Sequence, residues 1–163
     1  MLHGFPLRPI EQAQTMTQAN NPVTLTQLQN YQFRIDFGSG TPPLIADEPA
    51  PLGDGTGPSP VQLLAAAVGN CLSDSLLFAL RKFKQQPEPL RTEVSAEVGR
   101  NADGRMRVLG MNATLHLGVP ASQLEHLDRV LSQFESFCTV TQSVGQGIPI
   151  TVQVFDATGA RLK

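Results

Sequence analysis

One long helical pattern, from Pro60 to about Lys84, constrains the fold more than any other part of the chain. Ser59 suits the N-cap and Pro60 suits the first helical turn, while Pro87 and Pro89 prevent the helix from continuing. A helix with so wide an apolar face is expected to lie at the centre of the molecule, largely enclosed. The residues of this face recur at spacings of three and four: Leu64, Ala67, Val68, Cys71, Leu72, Ser75, Leu76, Ala79, Leu80 and Phe83.

Strand patterns flank this helix and arrive in hairpin groups. Residues 23–37 alternate apolar and polar side chains, which is typical of half-buried strands. Hairpins separated by helices favour an α+β fold, with antiparallel sheets around the long central helix, over a doubly wound parallel fold. The remaining predicted elements are a strand over 42–47, two strands over 90–99 and 105–117, a helix capped by Ser122 that ends near Phe137, a short helix over 138–144 and a last strand over 148–155.

Length and composition bound the domain organisation and the partners. A chain of 163 residues is close to the usual size of one domain, which we expect over residues 22–163. Residues 1–21 are rich in Gln, Thr and Asn, and they predict a partly mobile N-terminal arm. A net charge of −2 argues against a nucleic-acid partner. The chain shows neither a run of about 18 apolar residues nor a secretory signal, so we expect no membrane partner and a cytoplasmic protein.

Cys71 and Cys138 are the only cysteines of the chain, so each is reactive, a metal ligand or a buried small hydrophobe. Cys71 lies too far into the predicted helix for the helix dipole to activate its thiol, and activation would need a nearby cation. No zinc-ligand spacing occurs, and the segment Gly53–Gly57 lacks the residues of a phosphate loop and predicts a flexible turn. We therefore expect neither a metal nor a cofactor.

Two segments carry a resemblance to a known family. The segment Gly57–Cys71, GPSPVQLLAAAVGNC, with its continuation Leu80–Lys82, resembles the OsmC/Ohr family of osmotically inducible proteins and organic hydroperoxide resistance proteins. The segment Cys138–Ser143, CTVTQS, followed by Gly147–Ile150, resembles the second-cysteine segment and closing strand of that family.

The resemblance implies an intertwined homodimer with thiol sites at the subunit interface. It also implies a peroxidase of the oxidative stress response with peroxiredoxin-like activity. Cys71 would attack an organic hydroperoxide and become a sulfenic acid, and Cys138 would resolve that acid as a disulfide. A dithiol reductant would then restore both thiols.

One departure from the family pattern bears on activity. Peroxide-reducing members usually carry a glutamate directly after the proline that opens the long helix, where it holds the activating arginine, whereas this chain has Val61. In the family this arginine comes from the N-terminal hairpin region, so the resemblance implies Arg34, the only arginine there, as the activator of Cys71. Without the carboxylate the arginine would be held less firmly, so high efficiency is not expected. The alternative is a non-catalytic or weakly catalytic protein that binds a small hydrophobic ligand at the dimer interface.

Overall fold

The computed structural model describes residues 22–38 and 40–163, so the predicted arm over residues 1–21 lies outside the described residues. The architecture is the α+β arrangement that the sequence predicts. Its elements in chain order are β1 (Thr24–Gln29), β2 (Gln32–Asp36), β3 (Leu44–Ala46), α1 (Pro60–Lys82), β4 (Arg91–Arg100), β5 (Met106–His116), a 3-10 turn over Ala121–Gln123, α2 (Leu127–Gln133), a 3-10 turn over Phe134–Phe137, α3 (Thr139–Val144) and β6 (Ile150–Phe155).

The strands form two three-stranded sheets, in the orders β1-β2-β3 and β4-β5-β6. Neighbouring strands are antiparallel except β5 and β6, which run parallel with Met111 opposite Ile150. The expectation of antiparallel sheets therefore holds for every pair but this one. The reason is the connection: between β5 and β6 the chain passes through α2 and α3, and such a long crossover returns it in the same direction.

α1 begins at the predicted residue because its first turn is capped from both sides. Ser59 Oγ accepts a hydrogen bond from the Gln62 amide at 3.3 Å, and Gln62 Oε1 accepts one from the Ser59 amide at 2.9 Å. This reciprocal capping box satisfies amides that the helix itself leaves free. Arg81 and Lys82 occupy the last turn, where their charge complements the helix dipole.

The loop before α1 is held by a buried carboxylate rather than being a flexible turn. Asp47 Oδ2 accepts hydrogen bonds from the amides of Asp54 at 3.2 Å and Thr56 at 3.1 Å, and from Thr56 Oγ1 at 2.9 Å. The hydrogen bonds from Thr56 and the other loop amides lower the pKa of Asp47, so the carboxylate stays ionised at neutral pH. The sequence prediction missed this anchor because Asp47 precedes the Gly-rich segment and carries no motif.

α1 packs across the β4-β5-β6 sheet and forms the core with it. By length and composition alone α1 could cross a membrane, but its apolar residues supply the core of this fold. Gly69 allows the close approach of α1 to β4, because a Cβ atom there would lie 2.9 Å from Cγ2 of Val94. The buried core side chains include Val68, Leu72, Leu76 and Leu80 of α1, Met111, Ala113 and Leu115 of β5, Val152 and Val154 of β6, and Val130 and Phe134.

The helical region after β5 differs from the prediction of one helix capped by Ser122. Ser122 lies inside the first 3-10 turn and makes no cap, and α2 begins only at Leu127. His126 stands between them with a φ of 57°, a left-handed conformation that interrupts any continuous helix. The region therefore consists of short pieces.

Apolar side chains are exposed to solvent on β1 and on the outer side of α1 in the single chain. Every residue of β1 is exposed, and Leu25 on this strand exposes 57% of its area. On the outer side of α1, Ala66 and Ala67 are exposed, and Phe78 exposes 62% of its area. Ala67 thus departs from the buried face that the sequence pattern predicts. Exposed apolar side chains therefore lie on both β1 and α1.

Candidate thiol site

Cys71 lies near the middle of α1 and is partly buried. Its neighbour Leu72 points fully into the core, so the sulfur stands at the edge of the core rather than at its centre. Gly69 fixes this part of α1 against β4. The thiol is therefore held by a rigid element and still has some access to solvent, which a reactive cysteine requires.

Cys138 follows the 3-10 turn over Phe134–Phe137 and is the N-cap residue of α3, with no exposed area. Its amide donates to the Glu135 carbonyl at 3.0 Å, and its carbonyl accepts from the Gln142 amide at 2.9 Å. Its sulfur donates to Thr141 Oγ1 at 2.9 Å. The backbone and the side chain of Cys138 are therefore all fixed.

The fold brings the two thiols together, and both are free. Burial is the main cause that raises the pKa of the Cys71 thiol above its ordinary value, and the neighbouring Cys138 side chain raises it further. The backbone amides of Val140 and Thr141, at the start of α3, act in the opposite direction because they favour the thiolate. The site thus brings two free thiols together, the pairing that disulfide formation requires.

The third predicted site residue, Arg34, is not brought to the sulfurs within one chain. It lies on β2, where its guanidinium is 3.8 Å from the Asp36 carboxylate and both side chains are about half exposed. The causes that dominate the pKa of Cys71 come instead from burial, Cys138 and α3. Val61 lies in the first turn of α1, which carries no acidic residue.

Lys163, which was not predicted as a site residue, contacts the 3-10 turn that leads to Cys138 and stabilises it. Lys163 Nζ lies 2.6 Å from Glu135 Oε1 and 3.1 Å from the Leu131 carbonyl, and it stands over the Phe134 ring. Thr141 was also missed. Neither residue carries a sequence signal, because its role arises only when distant segments meet.

A pocket of about 320 Å³ lies between α1 and the helices that follow β5. Its apolar walls include Phe137, the residue directly before Cys138, and Phe78, two turns beyond Cys71 on α1. Lys82 and Arg129 also line this pocket. A small apolar molecule therefore has a place to bind against the turn that leads to Cys138.

Solved structures share this fold at low sequence identity. An OsmC-like protein of unknown function from Vibrio cholerae superposes with a TM-score of 0.72 and 15% identity, covering 85% of this chain and 100% of that one. The organic hydroperoxide resistance protein OsmC of Legionella pneumophila gives 0.64 and 15%, covering 84% and 98%. The organic hydroperoxide resistance protein OhrB of Bacillus subtilis gives 0.63 and 15%, covering 82% and 97%. At this level of identity the likeness shows the fold alone.

The family is shown by a match to the sequence. No curated relative matches the chain. The family model described as OsmC-like protein matches residues 53–153, a stretch that contains α1, the β4-β5 hairpin and both cysteines. Since this match covers well over half of the chain and the fold agrees with it, the protein belongs to the OsmC-like family.

Proposed function

We propose that the protein is a thiol-dependent reductase of organic hydroperoxides in which Cys71 is the peroxidatic thiol and Cys138 the resolving thiol. The observation that carries this proposal is the proximity of two free thiols, near enough for the Cys138 side chain to act on the Cys71 sulfur, from segments 67 positions apart in the sequence. Their difference in exposure supports the order of roles. Cys71 is partly exposed and open to a peroxide, whereas Cys138 has no exposed area.

The reaction follows ordinary sulfur chemistry. The Cys71 thiolate attacks the peroxide, the O–O bond breaks and a sulfenic acid remains on Cys71, while the alkoxide takes a proton from solvent and leaves as the alcohol. Cys138 then displaces hydroxide from that sulfur, which gives a disulfide and water. A dithiol reductant from solution returns both cysteines to thiols.

The active unit that we propose is a cytoplasmic homodimer. The exposed apolar residues of β1 and α1 would pack against a second copy, and Arg34 of the partner subunit would supply the activating cation for Cys71. Because Val61 offers no carboxylate to hold that arginine, we expect activity below that of a fully equipped peroxidase.

The test is a thiol titration before and after one equivalent of cumene hydroperoxide, with mass spectrometry of unreduced peptides. We expect the loss of two thiols per chain and a Cys71–Cys138 disulfide that dithiothreitol reverses. Cys138→Ser should stop at a Cys71 sulfenic acid that dimedone traps. Sulfonic acid at Cys71 beside a free Cys138 would refute the resolving role.

The pocket lined by Phe78 and Phe137 favours a second candidate, a binding protein for a small hydrophobic ligand. In that case the cysteines take no part in binding. A binder would keep both thiols after the peroxide dose and would bind an apolar fluorescent probe equally well in a Cys71→Ser, Cys138→Ser double variant. Loss of two thiols in the titration decides against a purely binding role.

A further inference from the structure

Building on the function proposed above, we propose that Thr141 is a further catalytic residue of the thiol pair: its hydroxyl takes the proton of Cys138 while Cys138 closes the disulfide with Cys71. The carrying observation is the 2.9 Å hydrogen bond from Cys138 Sγ to Thr141 Oγ1. Both residues are buried, Cys138 at 0% and Thr141 at 6% exposure. With solvent excluded, the Thr141 hydroxyl is the acceptor that the site offers to this thiol proton.

The position of Thr141 suits such a role because its backbone is held within a helix. It lies in the first turn of α3, and its carbonyl accepts from the Gly145 amide at 2.8 Å. A β-branched side chain has few rotamers, so the hydroxyl stays aimed at Cys138. The Thr141 amide also acts on the Cys71 sulfur. Thr141 therefore adjoins both thiols, through its hydroxyl at Cys138 and its backbone amide at Cys71.

The resolving step balances through this hydroxyl. The Cys138 sulfur attacks the Cys71 sulfur, the S–S bond forms and the S–O bond of the sulfenic acid breaks. The departing hydroxide needs one proton, and the Cys138 thiol has one to lose. Thr141 Oγ1 receives the thiol proton along the existing hydrogen bond while its own hydroxyl proton passes to the hydroxide. The products are the disulfide, water and an unchanged threonine.

The experiment is a single turnover with cumene hydroperoxide, quenched with dimedone and followed by mass spectrometry. Thr141→Val keeps the size of the side chain and removes the hydroxyl. We expect sulfenic acid formation within about twofold of the wild type and disulfide closure about tenfold slower, the effect of one lost hydrogen bond in the transition state. Thr141→Ser should restore closure to within about threefold. Closure as fast in Thr141→Val as in the wild type, or as slow in Thr141→Ser as in Thr141→Val, overturns the role.

A pH profile separates proton transfer from simple packing. In Thr141→Val the Cys138 thiol must ionise without its acceptor, so closure should rise with pH more steeply than in the wild type. A profile parallel to that of the wild type contradicts proton transfer. The matched control is Thr139→Val, an exposed position two residues earlier in the same helix, which should change neither phase. Melting curves of all variants check the fold.

A second assay keeps Thr141 testable if the proposed function fails. The reagent dithiobis(nitrobenzoate) reacts with Cys71 and releases one coloured thionitrobenzoate. Disulfide closure by Cys138 then releases a second. We expect the second release to be several-fold slower in Thr141→Val, because Cys138 must still lose its proton. Equal rates of second release overturn the inference about Thr141, whereas a wild type that is inert to peroxide overturns only the peroxidase.

Discussion

At the scale of single residues, the reactivity of Cys71 depends on which charge reaches its sulfur. Burial and the Cys138 side chain raise the pKa of this thiol, and two amides of α3 oppose them. A cation from a second copy would shift the pKa downward by stabilising the thiolate. Arg34 and Val61 are the residues through which this can be tested.

Arg34→Ala should move the ionisation of Cys71 to higher pH, because it removes the proposed cation and leaves burial and Cys138 to dominate. Alkylation of the Cys71 peptide by iodoacetamide, followed by mass spectrometry from pH 6 to 10, measures this. We expect slower alkylation in the variant at pH 7. At high pH the rates should be equal, because Cys71 is then ionised in the variant and in the wild type. Arg107→Ala, at an exposed position on β5, is the control. Superimposable profiles for Arg34→Ala and the wild type would mean that another group activates Cys71.

Val61→Glu should raise the second-order rate with an organic hydroperoxide. The new carboxylate would stand in the first turn of α1, where the helix dipole favours it and where it can hold the arginine. A gain of about tenfold corresponds to roughly 1.4 kcal/mol of transition-state stabilisation. Val61→Gln has nearly the same shape without the charge and should give no gain. Equal rates in the Glu and Gln variants would show that charge at this position is irrelevant.

The site could be predicted from the sequence only in part. Cys71 and Cys138 were selected by the segments around them, but 67 positions of separation say nothing about distance in space, and only the fold brings the sulfurs together. Thr141 was not predicted, because only the structure shows which of the two threonines of CTVTQS directs its hydroxyl at Cys138.

At the scale of elements, the sequence predicted those features that depend on neighbouring residues, such as the start of α1. α1 began at Pro60 as predicted, because the Ser59 and Gln62 cap is encoded within four residues. The helix predicted to start at Ser122 broke into pieces, because the left-handed His126 and the packing of Phe134 outweigh propensity. The parallel pairing of β5 and β6 was missed since strand direction follows from the whole crossover.

The carboxylate of Asp156, directly after β6, holds the first 3-10 turn and the C-terminal turn, and it leads to a prediction about pH. Asp156 Oδ1 accepts from Thr158 Oγ1 at 2.6 Å, from the Thr158 amide at 2.9 Å and from the Ala160 amide at 3.0 Å, while its Oδ2 accepts from the Ala121 amide at 2.9 Å. The hydrogen bonds from Thr158 and these amides lower the pKa of Asp156 from 3.8 to about 2. Since the native state favours the ionised form, this stabilisation is complete above about pH 4 and is lost as the pH falls toward 2.

Asp156→Asn should therefore lower the melting temperature at pH 7, because an amide cannot accept from all four donors. The gap to the wild type should narrow as the pH falls below 4. Thermal unfolding at several pH values measures it, with Asp103→Asn in the exposed β4-β5 turn as the control. A gap that is unchanged at pH 2.5 would show that the charge of Asp156 does not contribute.

At the scale of the whole molecule, the uncovered faces of β1 and α1 predict a homodimer. Sedimentation at micromolar concentration should give a dimer for the wild type. Ala66→Arg places a charge on the exposed side of α1, so it should yield a folded monomer with an unchanged circular dichroism spectrum. Ala102→Arg, in the exposed β4-β5 turn, should remain dimeric. A monomeric wild type would contradict the dimer, and a dimeric Ala66→Arg would move the interface elsewhere.

The two cysteines stand on either side of the β4-β5 hairpin along the chain, so a bond between them would close a covalent ring of about 70 residues. Such a ring removes conformational entropy from the unfolded chain, worth up to about 4 kcal/mol. The oxidised protein should therefore unfold at a higher temperature than the reduced one, and Cys138→Ser should show no such difference. Oxidation would raise the stability of the entire domain and reduction would lower it again. Exposure to peroxide could therefore be measured as resistance of the domain to proteolysis.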